Sequence, residues 1–295
     1  MDATVAPIER RVPVRSLELS VREWPGEGRP FLLVHGLASN ARTWDGVARH
    51  LSASGYRVVA VDQRGHGHSA KPDFGYTFAD VTADLEALID ALGLEVPVIA
   101  GQSWGGNVVL EFAATRPGSL YGLVLVDGGF IDLSSQPGAT WEKVEVDLKP
   151  PPLAGMPREE MLKRMQGFHP DWSEEQIEMQ MGNFETRPDG TIAPWLTLDR
   201  HMMILRSLWH QKPSEIYGEV ETPTLIAVAG RVPPERIEHK RAEVAKAEAG
   251  IADVRVRWFE DAVHDIHVQR PVELAGWMLE ALNEGFFERK VVACA

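Results

Sequence analysis

The sequence predicts an α/β fold with a helical insertion, on two observations. Short runs of Val, Leu, Ile and Ala ending in Gly, Asp or His recur along the first and last parts of the chain, separated by segments with helical spacing. That alternation is the pattern of parallel strands joined by crossover helices. Between residues 131 and 221 the strand-like runs stop, and Trp- and Met-rich segments of helical character replace them. The expected division is a core of residues 1–130 and 222–295 and an inserted cap of residues 131–221.

In chain order, residues 12–21 and 31–34 read as strands, with a Pro- and Gly-containing turn between them. Residues 41–54 carry Trp44, Val47, Ala48 and Leu51 at helical spacing, and residues 57–62 form a buried strand. Thr77 and Asp80 form a capping-box-like start for a helix through Leu92, with Val81, Leu85, Leu88, Ile89 and Leu92 on one face. The run Val98-Ile99-Ala100 predicts a strand leading through Gly101-Gln102-Ser103-Trp104-Gly105 into a helix over residues 107–115. Residues 122–126 form the next strand and end in Asp127. The insertion holds seven of the nine methionines, at 156, 161, 165, 179, 181, 202 and 203, and two predicted helices, over 173–185 and 198–211. A strand over 224–229, a helix over 234–249, a strand over 254–259 and a Pro271-started helix through Phe287 complete the chain.

Gly-x-Ser-x-Gly between a strand and a helix is a sharp turn whose glycines admit close backbone approach and whose central serine is forced outward. Here the sequence resembles the α/β-hydrolase superfamily, over nearly the whole chain. The resemblance implies a mostly parallel eight-stranded sheet flanked by helices, with a helical cap. It implies Ser103 as nucleophile. It also implies an oxyanion hole from the backbone N–H groups of Leu37, in the His35-Gly36 turn 67 residues before the elbow's Ser103, and of Trp104. The stretch from Asp62 to Ser69 matches the Asp-x-Arg-Gly-x-Gly-x-Ser signature of the superfamily, whose role there is architectural; His66 and His68 within it lack the acidic or thiolate company of a metal site.

A serine needs a base, and the base a carboxylate. His264, on the loop between the last strand and the Pro271 helix, stands where the superfamily carries its base, with His267 as the alternative. The acid departs from the commonest pattern, because Gly230 is followed by Arg231-Val232-Pro233-Pro234 and no carboxylate comes before Glu235. Some members carry the acid after the preceding strand, and Asp127 stands there, 24 residues beyond Ser103. Asp127 is the expected acid and Glu235 the alternative, with Asp132, Asp261 and Asp265 behind them. His35, Gly36, Trp141, Trp195, Met202 and Trp209 are the expected substrate contacts.

The expected chemistry is hydrolysis of an apolar or aromatic carboxylic ester or lactone through an acyl-enzyme on Ser103. Carbon–carbon bond hydrolysis stays open because it uses the same triad. Aminopeptidase activity would need cap carboxylates such as Glu174, Glu175 or Glu185. Dehalogenases and epoxide hydrolases of this fold use an aspartate nucleophile, which Ser103 argues against. A hydrolase-like ligand receptor is the non-enzymatic alternative. A formal net charge of −13 disfavours nucleic acid and anionic membrane as partners. The lone Cys294 allows no intrachain disulfide. With neither a leader-like nor a membrane-spanning apolar stretch, the expectation is a cytoplasmic protein, free of metal and cofactor, with a homodimer possible.

Overall fold

The structure, a computed structural model, describes residues 6–288; Cys294 lies outside the described residues. Strands β1 (Ile8–Val14), β2 (Leu17–Trp24), β3 (Gly28–Val34), β4 (Tyr56–Val61), β5 (Val98–Gln102) and β6 (Gly122–Val126) precede the insertion. Within the insertion, β7 (Phe184–Thr186) and β8 (Ile192–Pro194) form a separate antiparallel pair, and β9 (Thr224–Ala229) and β10 (Val254–Phe259) follow it. The main sheet has eight strands in the order β1-β2-β4-β3-β5-β6-β9-β10. Every pairing from β4 to β10 is parallel, while β1, β2 and β4 pair antiparallel at one edge.

Helices α1 (Asp45–Ala53), α2 (Phe78–Leu92) and α3 (Trp104–Thr115) connect the first strands. The insertion contributes α4 (Trp141–Asp147), α5 (Arg158–Phe168), α6 (Glu174–Met181) and α7 (Leu198–His210), and α8 (Pro234–Gly250), α9 (Ile266–Gln269) and α10 (Pro271–Asn283) complete the fold. Alternate residues of each strand divide between two apolar layers, as the two-residue repeat of a pleated strand requires. Leu32, Val34, Ile99, Leu123, Leu125, Ile226 and Val228 face α2, α3 and α8. Phe31, Leu33, Val98, Ala100, Val124, Leu225 and Ala227 face α1 and α10. Strands covered on both sides become continuous apolar runs, and β5, β6 and β9 are buried at every position.

Five elements differ from the sequence expectation. The expected strand over 12–21 is a hairpin, because the chain reverses at Arg15, whose φ is 53°. The expected helix over 173–185 stops at Met181, and the chain then forms β7 and β8 around the turn at 188–190, where Asp189 accepts the Thr191 N–H. Helices α4 and α5 are additional to the expected ones; α5 has one buried residue, Met161. The last helix ends at Asn283, not at Phe287.

Four of the methionines of the insertion serve its own packing, while Met202 and Met203 pack on the core of the main sheet. Met161, Met181 and Ile192 form a small separate core with Met156, Met165, Leu153 and Phe184 around them. Unbranched thioethers fill the irregular space between short elements.

Candidate active site

The turn after β5 holds Ser103 at φ 54° and ψ −125°, a conformation L-residues rarely adopt. Two close approaches enforce it. A Cβ on Gly105 would lie 2.4 Å from the His35 carbonyl oxygen, and one on Gly128 would lie 2.1 Å from the Ser103 carbonyl oxygen. Ser103 donates its own N–H to Val126, and its carbonyl accepts from Gly106 at the start of α3. The turn is thus wedged between β3, α3 and the end of β6, with its side chain only partly buried. The Ser103 hydroxyl has no hydrogen-bond partner among the described residues; nucleophile–base contacts are often long before substrate binds.

Asp127, itself at φ 44° and buried, follows the last residue of β6. Its Oδ2 accepts from His264 Nδ1 at 2.6 Å. Its Oδ1 accepts from the Ala229 N–H at 2.9 Å and from Lys240 Nζ at 2.6 Å. Burial alone would raise the carboxyl's pKa. The hydrogen bond and charge of His264, then the charge of Lys240, outweigh it, so Asp127 is held below the ordinary aspartate range. Burial pushes His264 down, yet the bond to Asp127 and the charges of Asp127 and Asp265 carry its pKa above the usual histidine value. The ring sits among protein groups with half its side-chain surface open to solvent. With Nδ1 directed at the carboxylate, Nε2 is the nitrogen left to serve as base.

The loop after β3 lies opposite. Leu37 N–H and Trp104 N–H have no acceptor among the described residues, the second as the first amide of a helix. Two buried histidines fix this loop. His66 Nε2 accepts the Ala38 N–H at 3.2 Å while its Nδ1 faces the Arg64 carbonyl at 3.0 Å. His35 Nε2 accepts the Gln63 N–H at 3.0 Å, with its Nδ1 on the Gly36 carbonyl at 2.7 Å. Both rings must therefore be neutral, and burial lowers the pKa of each. Asp62 supports the same region, accepting from the Ala41 and His68 N–H groups at 2.7 and 2.9 Å.

Several expected contacts fall elsewhere. His35 is fully buried with both ring nitrogens engaged, so its side chain cannot meet substrate. Gly36 does lie beside the nucleophile: a Cβ there would be 3.1 Å from that of Ser103. Trp195 packs on His68 and lines a cavity of about 690 Å³ that neither Ser103 nor His264 lines. Trp141 and Trp209 pair at 6.2 Å, and with Met202 they pack on the apolar cluster that contains Trp104. Glu235, the alternative acid, is exposed in the first turn of α8, and it is Asp127 that holds His264. His267, the alternative base, is buried against Trp44 with no partner on either nitrogen among the described residues, and burial pushes its pKa down to about 3. Asp132 is committed to Lys212 and Ser134.

Sequence reasoning also missed what holds the His264 loop. Gln269 accepts the Val263 N–H at 2.8 Å and donates to Asp171 of the insertion at 2.7 Å, and Gln176 Nε2 donates to the Val268 carbonyl at 2.5 Å. Gln269, the last residue of α9, and Gln176, in the first turn of α6, carry no sequence signal of such roles.

A family model of the alpha/beta hydrolase fold matches residues 29–186, more than half of the chain. The chain belongs to this family. This α/β-hydrolase is 31% identical over 122 residues to a haloalkane dehalogenase of Mesorhizobium japonicum, a stretch covering 41% of this chain and 39% of that protein. The aligned stretch thus spans about two fifths of the relative. Among solved structures, that of E-2-(acetamidomethylene)succinate hydrolase is similar with a TM-score of 0.77 and 23% identity, covering 94% of this chain and 99% of that one. The enol-lactonase from Burkholderia xenovorans LB400 is similar with a TM-score of 0.68 and 20% identity, covering 93% and 100%. At these identities the structures speak for the fold.

Proposed function

We propose that this α/β-hydrolase cleaves carboxylic esters or lactones of apolar or aromatic small molecules, with Ser103 as nucleophile, His264 as base and Asp127 as the acid that holds it. The observation that carries the reading is the 2.6 Å contact between Asp127 Oδ2 and His264 Nδ1, made by residues 137 apart in sequence, beside a serine held at positive φ. His264 Nε2 takes the serine proton as Oγ attacks the carbonyl, and Asp127 stabilises the resulting imidazolium. The Leu37 and Trp104 amides receive the developing oxyanion, where the loss of one donor typically costs about 10²–10³ in rate. His264 then protonates the leaving alcohol, and water attacks the acyl-enzyme by the reverse proton path. Because nothing but a serine stands at the elbow, the aspartate-ester chemistry of dehalogenases does not apply here. The side chains of Trp141, Met202 and Trp209, continuous with the cluster around Trp104, favour an apolar acyl or alcohol part.

The test is a fluorophosphonate probe followed by a panel of p-nitrophenyl esters and lactones of graded size. Prompt labelling of wild type, its loss in Ser103→Ala and turnover of the apolar esters support the reading. A folded wild type that neither labels nor turns over any ester or lactone would refute it in favour of a binding protein.

A further inference from the structure

Helix α8 carries charged residues along much of its length, and its buried stripe is narrow. Lys240, Glu243, Val244 and Ala247 follow one another at helical spacing, and the last three are buried. Glu243 is matched locally by Lys246 at 2.8 Å. Lys240 has no such use on its own helix. Its side chain, 13% exposed, runs inward to the end of β9, where Nζ meets the Ala229 carbonyl at 2.7 Å and Asp127 Oδ1 at 2.6 Å. Ala229 therefore uses both of its backbone groups here: its N–H binds the same Oδ1 that its carbonyl's partner, the ammonium, also binds. A lysine is desolvated only where something compensates it, and an apolar residue would cover the sheet here at less electrostatic cost.

We propose that Lys240 is a positioning residue of the triad, occupying Oδ1 of Asp127 so that Oδ2 alone faces His264, and tempering the negative charge that the His264 ring feels. The proposal rests on the serine-hydrolase reading for its catalytic meaning, although the electrostatic part stands without it. In this chain the end of β9, where relatives commonly carry the acid, supplies a backbone clamp in its place. The carboxylate comes from β6 and the cation from α8.

The charged and titratable groups around the ring are few. Asp127 approaches from β6, Asp265 from the same loop, Lys240 from α8 and His267 from α9; His169 of the insertion acts on Asp265. The two carboxylates favour the protonated ring, and Lys240 opposes them. Neutral His267 adds no charge near neutral pH.

The experiment compares wild type with Lys240→Met, Lys240→Gln and Lys240→Arg. One readout is the pH dependence of fluorophosphonate labelling at Ser103, and the other is the NMR titration of the His264 ring. Loss of the cation should move the acidic midpoint of both curves up by about two pH units, the scale set by a unit charge several Å away at an effective dielectric near 20. Lys240→Gln keeps a hydrogen-bond donor without charge and should shift like Lys240→Met, while Lys240→Arg should return the midpoint to near wild type. Should Lys240→Met fail to fold, Lys240→Gln decides. Coincident His264 midpoints in wild type and the uncharged variants would overturn the proposal and leave Lys240 with packing alone. Wild type that never labels, with the NMR shift still present, would instead refute the hydrolase reading and leave the electrostatic inference standing.

Discussion

Replacing Asp127 by Asn removes one charge and one acceptor from a site that uses three donors. Oδ1 receives the Ala229 N–H and the Lys240 ammonium, and Oδ2 receives His264. The amide oxygen of Asn will stay with the two donors at the Oδ1 position, which turns its NH2 group toward His264 Nδ1. That nitrogen must then accept, so the ring proton moves to Nε2, the atom that has to take the serine proton. A histidine locked in the wrong tautomer costs about 10⁴-fold in rate. Stability falls as well, because Lys240 loses its counter-ion in a site only 13% exposed. Breaking a buried pair costs about 3–5 kcal/mol, and the lower end applies because the Ala229 carbonyl remains as partner. At about 2–4 °C per kcal/mol, the melting temperature should drop by roughly 6–12 °C. The assay is the second-order rate of fluorophosphonate labelling near pH 7.5, read by intact mass, with thermal unfolding alongside and Glu235→Gln as the comparison. A labelling rate for Asp127→Asn within threefold of wild type, or a large loss in Glu235→Gln, would refute the assignment of the acid.

Further outcomes follow from the same contacts. His35 and His66 are held neutral with pKa values below 6.5, so the unfolded chain binds more protons and stability should fall as pH drops through 6.5; denaturant unfolding at pH 7.5 and 5.0 measures it, and His66→Gln, which keeps an acceptor for Ala38, should reduce the slope. Asp62→Asn places an NH2 group against the Ala41 or His68 N–H and should cost about 1–3 kcal/mol in the same assay. Gly128→Ala drives a methyl to within 2.1 Å of the Ser103 carbonyl oxygen, so labelling should fall far below wild type even where a folded protein is recovered, as read by circular dichroism. Met181→Ala should open the small core of the insertion and accelerate hydrogen exchange over residues 153–194 while leaving β5 and β9 protected, because that cluster is separate from the two apolar layers of the sheet.

The sequence by itself determined the repeating strands, the elbow and its serine, and the two helix starts at Thr77 and Ser173, whose capping boxes both form. These are local matters: a buried parallel strand is a continuous apolar run, a strained corner needs glycine, and a cap needs its side chain three residues from its partner. Arg15 hid a chain reversal because a lone positive φ at a non-glycine residue leaves no mark in composition. The tertiary structure decided which of several carboxylates meets His264. It also withdrew His35 and Trp195 from the expected contacts, and brought Lys240, 113 residues beyond Asp127, onto its second oxygen. Such pairings depend on where the ends of β6 and β9 and the inward face of α8 converge, and distances across a sheet are set by strand order, which spacing along the chain does not encode.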